Sequence, residues 1–112
     1  MADAPAFVMV KDFAGSDDFT KKHTPFITVE PAGAARLVKV EVGHEVAHPN
    51  GVDHYITMIE LYAGMTPIAR FDLSPAVTAP TVSLVVDLPD GTVLRAIEHC
   101  NLHGWWAYEV EL

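Results

Sequence analysis

Half of the 112 residues are hydrophobic, and fifteen Asp and Glu outnumber seven Lys and Arg for a formal net charge of −8. The length suits one domain with a single core, which at this size hides roughly two-thirds of the surface of the unfolded chain. The charge excludes nucleic acid and anionic membrane as general partners, since phosphate binding needs clustered Lys and Arg and the few present are scattered. The lone cysteine excludes an internal disulfide.

In chain order, residues 1–20 are expected to form an N-terminal arm or loop of a single domain spanning 1–112. Met1 to Asp12 has neither a basic start nor a continuous apolar run, and Gly15, Ser16, Asp17 and Asp18 are turn formers. With no disulfide and no stretch long enough to span a membrane, the expected location is the cytoplasm. Phe26 to Glu30 reads as a strand. Leu37 to Val42 alternates, with Val38, Val40 and Val42 on one face and Leu37, Lys39 and Glu41 on the other. Tyr55 to Ala63, Ile68 to Leu73 and Thr92 to His99 are rich in β-branched or aromatic residues. Val82, Leu84, Val86 and Leu88 share one face, as do Trp106, Tyr108, Val110 and Leu112 at the end. Pro, Gly, Asn and Asp clusters punctuate these runs, as in Pro49-Asn50-Gly51 and Pro89-Asp90-Gly91. About seven short strands at this spacing predict an all-β fold, an immunoglobulin-like antiparallel β-sandwich, with a small barrel as the competing architecture.

Five side chains of ligand type stand in the turns of this layout. His23 precedes Pro25 at the entry to the first predicted strand. His48 and His54 bracket a turn that opens into the strand at Tyr55, and Cys100 and His103 flank the turn between the last two strands. Loops at one end of a rigid sandwich are where sites are usually built. Any one of these histidines reads equally as a solvated turn residue, but five such groups around one point would hold a metal. His99 neighbours Cys100 but points to the opposite face of its strand, and only one of Trp105 and Trp106 can face the core.

Three strings carry a resemblance to a known family. Lys22-His23-Thr24-Pro25, His48-Pro49-Asn50-Gly51-Val52-Asp53-His54 and Cys100-Asn101-Leu102-His103-Gly104-Trp105-Trp106 resemble the iron-binding motifs of the superoxide reductases, the desulfoferrodoxin and neelaredoxin proteins, in order and spacing. The resemblance implies one mononuclear non-haem iron, cycling between Fe2+ and Fe3+. It implies the imidazoles of His23, His48, His54 and His103 in a plane, the Cys100 thiolate on the axis, and an open sixth position in the ferrous state. It further implies one-electron reduction of superoxide to hydrogen peroxide, with the electron returned by a rubredoxin-like donor. Because no second cysteine is present, the chain resembles the one-iron type that lacks the extra four-cysteine centre. Small members of the family assemble into dimers or tetramers, so a homo-oligomer is a further expectation.

Lys22 matches the family lysine that lies over the open site, where the resemblance makes it the catalytic group that attracts the anionic substrate and organises proton-donating water. The family glutamate that closes the sixth position after oxidation is replaced here by Lys21, so that carboxylate is not carried over. Two other classes compete. A blue-copper electron carrier is also a sandwich with Cys and His, but it places a methionine or similar axial ligand after the Cys–His loop, and no methionine follows Met65. A metal-free, immunoglobulin-like binding module would leave the histidines as surface groups. A structural zinc site fits less well, because five ligands with one cysteine do not match a closed tetrahedral set.

Overall fold

The structure, a computed structural model, describes residues 6–112. Among them the chain forms β1 (Phe7–Val10), α1 (Asp18–His23), β2 (Pro25–Ala32), β3 (Ala35–Val42), β4 (Ile56–Ala63), β5 (Thr66–Asp72), β6 (Thr81–Val86), β7 (Val93–Cys100) and β8 (Gly104–Glu111). The strands make two sheets, one of five in the order β1-β8-β7-β4-β5 and one of three in the order β2-β3-β6. The predicted all-β sandwich is therefore the architecture.

The alternation read from the sequence decides which side chains meet between the sheets. Val38, Val40 and Val42 of β3 are fully buried or nearly so, and Ile56, Ile59 and Leu61 of β4 with Leu94, Ala96 and Cys100 of β7 face them from the larger sheet. Val82, Leu84, Leu88, Tyr108, Val110 and Leu112 pack around that core. Cys100 is thus a core residue at the end of a strand, and the β4–β7 ladder that closes at Ile56 opposite Cys100 brings the loops before β4 and after β7 to one end of the sandwich.

Two sequence expectations are corrected. The stretch read as an N-terminal arm or loop carries β1, which pairs parallel with β8 from Phe7 opposite Trp105 to Val10 opposite Tyr108, and then α1. The first five residues of that stretch lie outside the described ones. The strand escaped notice because Phe-Val-Met-Val has no polar alternation, and its pairing partner lies at the other end of the chain. The helix is only six residues long, too short for a 3.6-residue repeat to register. The sandwich thus has eight strands among the described residues where about seven were expected, and its sheets are antiparallel except for the β1–β8 pair. Among the described residues, no helix is long and apolar enough to cross a membrane.

Candidate metal centre

Each ligand-type side chain is fixed by a local device. In α1 the Asp17 carboxylate caps the first turn by accepting the Thr20 N–H at 2.8 Å, and the basic residues Lys21, Lys22 and His23 fill the last turn, as the helix dipole favours. His23 is fully buried, and its Nδ1–H donates to the Phe19 carbonyl at 2.7 Å. A carbonyl only accepts, so the proton sits on Nδ1 and Nε2 keeps a free lone pair. His48 follows the same rule, its Nδ1–H donating to the Pro49 carbonyl at 2.6 Å. Gly43 makes room for it: φ is +95°, and a Cβ there would lie 2.7 Å from the His48 backbone nitrogen, so only glycine fits both the conformation and the approach. The loop carrying His54 is closed by paired backbone hydrogen bonds between Gly51 and His54 at 3.0 and 3.2 Å. After Cys100 the chain turns, and the Trp106 Nε1–H donates to the His103 carbonyl at 3.1 Å.

These devices aim the side chains at one point. The ligand atoms of His23, His54, Cys100 and His103 all lie within 4.8 Å of one another. His23 Nε2 is 3.2 Å from His103 Nδ1, and Cys100 Sγ is 3.9 Å from the same Nδ1. His48 lies outside that four-way set, but its Nε2 is 3.5 Å from Cys100 Sγ. The His54 Nε2 atom is buried with no hydrogen-bond partner. Buried polar atoms are normally paired, and an orphaned imidazole nitrogen among three other imidazoles and a thiol is what a metal ion would satisfy. The donor set, four imidazole nitrogens and one sulfur, suits a mid-series transition metal such as ferrous iron.

At His23, His48 and His54 the electrostatics favour the neutral imidazole that a metal requires. Burial holds His23 and His54 below the usual histidine range and brings His48 down to about 4, with repulsion from neighbouring imidazoles and from the Lys22 ammonium adding to the effect at all three. Burial pushes the Cys100 thiol up, while the Leu102 and His103 backbone N–H groups pull it back by favouring the thiolate. Sequence reasoning missed Glu98. It lies two residues before Cys100 on the same strand face, is fully buried, and neither carboxyl oxygen has a partner. Burial raises its carboxyl well above the ordinary value. Period-two alternation places residue 98 on the core face, but nothing in the pattern explains an acid there.

These shifts act oppositely on stability. The unfolded chain binds more protons at the histidines than the folded one, so their contribution is present above pH 6.5 and is lost on acidification, for His48 between 6.5 and about 4. Glu98 binds its proton more tightly when folded, so its contribution is present below its ordinary value of 4.5 and is lost as pH rises through its folded value. In metal-free Glu98→Gln the opposing group is gone. Its melting temperature is expected to exceed the parent's at pH 8, and to fall as pH drops from 6.5 to 4 by the ~10 °C that ~3 kcal/mol from His48 implies. Calorimetry across that range checks both directions, and a variant whose melting temperature is flat with pH would contradict the assignment.

Aromatic rings wall the cluster. Trp106 is the buried tryptophan, stacked on His23 with centroids 4.9 Å apart and planes 18° from parallel. Trp105 faces the other side of the sheet and packs against His99 at 4.6 Å. Phe19, not singled out from the sequence, stands 4.6 Å from the His23 ring and 5.0 Å from the His103 ring. Its signal was present in hindsight as an aromatic residue four positions before a ligand-type histidine. The two lysines part company. Lys22 is the one whose charge is felt by His23, His48 and His54, whereas Lys21 pairs with Glu45 at 3.2 Å and lies over the Phe13 ring at 5.6 Å.

Comparison with known proteins matches this arrangement to one family. The desulfoferrodoxin family profile aligns with residues 15–109. A relative in Methanocaldococcus jannaschii is 40% identical over 100 residues, covering 85% of each chain. A superoxide reductase of Pyrococcus horikoshii is 36% identical over 93% of this chain and 99% of its own. Among solved structures, superoxide reductase from Nanoarchaeum equitans superposes with a TM-score of 0.80 at 30% identity, over 96% of this chain and all of that one. With a sandwich of the same shape, and with the profile spanning His23, His48, His54, Cys100 and His103, the chain belongs to the desulfoferrodoxin family.

Proposed function

We propose that the protein is a superoxide reductase, which reduces superoxide by one electron to hydrogen peroxide at a single iron held by His23, His48, His54, His103 and Cys100. The observation that carries this reading is the convergence of imidazole and thiol ligand atoms around a buried, unpaired His54 nitrogen. Bound there, iron would supply the one-electron reductant, and the thiolate would raise electron density on it. The residues of the chain do the rest. Burial and the Lys22 charge favour unprotonated imidazoles at His23, His48 and His54, and the Leu102 and His103 N–H groups support the thiolate. Trp106 and Phe19 exclude water from the His23 side. Lys22 places a positive charge beside the cluster in an otherwise acidic protein and so draws in a small anion.

Superoxide takes up one electron and two protons to become hydrogen peroxide. The protons come from solvent, and a separate one-electron carrier of the rubredoxin kind restores the electron. The single cysteine fits a reducing compartment, the cytoplasm, with residues 1–112 acting as one unit. Reduced, iron-loaded protein given superoxide is expected to form one peroxide per superoxide with no dioxygen. Release of dioxygen at half that yield would make it a dismutase instead.

The position of the family's closing glutamate is taken by a residue of opposite charge. Position 21 is a lysine tied to Glu45, and Asp17 is committed to capping α1. Azide or cyanide is therefore expected to shift the visible spectrum of the oxidised protein at millimolar concentration. An unperturbed spectrum would mean that another group fills the position.

A further inference from the structure

Resting on the metal-site reading above, we infer that Asn101 is a positioning residue that sets His54 in register with Cys100 and His103. The β4–β7 ladder ends where Ile56 faces Cys100. Beyond it the two chains diverge, one toward His54 and the other toward His103, and nothing in a regular sheet would hold them together. Asn101 stands at that fork. Its backbone N–H donates to the Tyr55 carbonyl at 3.2 Å. Its side chain then carries the pairing further: Oδ1 accepts the Tyr55 N–H at 2.9 Å, and Nδ2 donates to the Asp53 carbonyl at 3.0 Å. The carboxamide thus grips the peptide groups on both sides of His54, acting as one more rung of the ladder.

The chemistry requires an amide at this position. The two backbone groups it meets are one donor and one acceptor, and only Asn or Gln offers both complements from one planar head. Gln carries an extra methylene between backbone and head, so Asn is the residue that spans the gap. Aspartate keeps the acceptor for Tyr55 N–H but turns an oxygen toward the Asp53 carbonyl. Alanine loses both bonds. The grip matters because the His54 ring has no hydrogen bond of its own to orient it: Nε2 is without a partner, and no ring N–H is held by a carbonyl as at His23 and His48. Groups beyond the ligands that orient them alter metal affinity by roughly ten- to a hundredfold.

The test uses two variants and two readouts. In metal-free protein labelled with 15N at histidine, the parent His54 ring is expected to give one sharp set of resonances, and Asn101→Ala to broaden or split it while those of His23 and His48 stay in place. Titration with Co2+ as the probe metal is expected to give an affinity about tenfold weaker in Asn101→Ala. Asn101→Asp, which keeps one of the two bonds, is expected to keep the fold and show the His54 broadening. His54 resonances that match the parent's in either folded variant would overturn the proposal and leave Asn101 as a turn residue only. The imidazole readout needs no metal, so it decides the role of Asn101 even if iron fails to load, an outcome that would count against the superoxide reductase reading alone.

Discussion

Cys100→Ser is expected to abolish the thiolate-to-iron charge-transfer colour of the oxidised protein and to lower the rate of superoxide reduction by on the order of 100-fold or more. The side chain is fully buried, 3.5 Å from His48 Nε2 and 3.9 Å from His103 Nδ1, at the edge of the core shared by both sheets. Serine occupies nearly the same volume, so the core is retained and the melting temperature of the metal-free variant should move by only a few degrees. What is lost is the sulfur. A hydroxyl has no accessible anionic form at neutral pH, and the Leu102 and His103 N–H groups that favour the thiolate have no equivalent charge to support. Stopped-flow absorbance on anaerobically loaded protein separates the effects: iron retained, colour gone, rate down. An unchanged visible spectrum would remove Cys100 from the metal.

Lys22→Ala is expected to slow capture of superoxide about tenfold at low ionic strength and to converge on the parent near 0.5 M salt. The protein repels anions as a whole, with a formal charge of −8, so entry depends on local charge. On the proposed reading Lys22 supplies it, its ammonium helping to lower the titration of His23, His48 and His54. Lys21 does not take over, because Glu45 of the β3–β4 connection pairs with it and offsets its charge. Pulse radiolysis at graded salt reads the effect directly. A deficit that persists at high salt would assign Lys22 to proton delivery or to the geometry of the site. The same substitution removes one source of repulsion from the three histidines, so their titration in the metal-free variant should move up, a second sign that the charge acts there.

Much of this molecule could be read from the order of its residues, and the exceptions have physical causes. Val38, Val40 and Val42 announced their face because a half-buried strand must alternate, and the turns at Pro49-Asn50-Gly51 and Asn101-Leu102 announced where the chain reverses. Those two facts put the ligand-type loops at one end of the sandwich, where the structure brings their ligand atoms within a few ångströms of one another. β1 stayed hidden because its parallel partner, β8, is almost a whole chain away, and no local pattern encodes such a pairing. The Lys21–Glu45 pair likewise joins residues 24 apart; read alone, Lys21 is an added positive charge, and only the folded loop shows it neutralised. Glu98 goes against its own pattern, an acid on an apolar face. Places where sequence rules fail in this way tend to lie beside functional sites, and this one is two residues from Cys100.

Iron content and the visible spectrum of one sample, reduced and then oxidised, test the central claim most directly. About one iron per chain, colourless when reduced and blue when oxidised, is the predicted result, because only a thiolate on ferric iron gives that colour from this donor set. No iron and no colour after anaerobic reconstitution would contradict the account and leave a sandwich whose converging histidines serve binding without a metal.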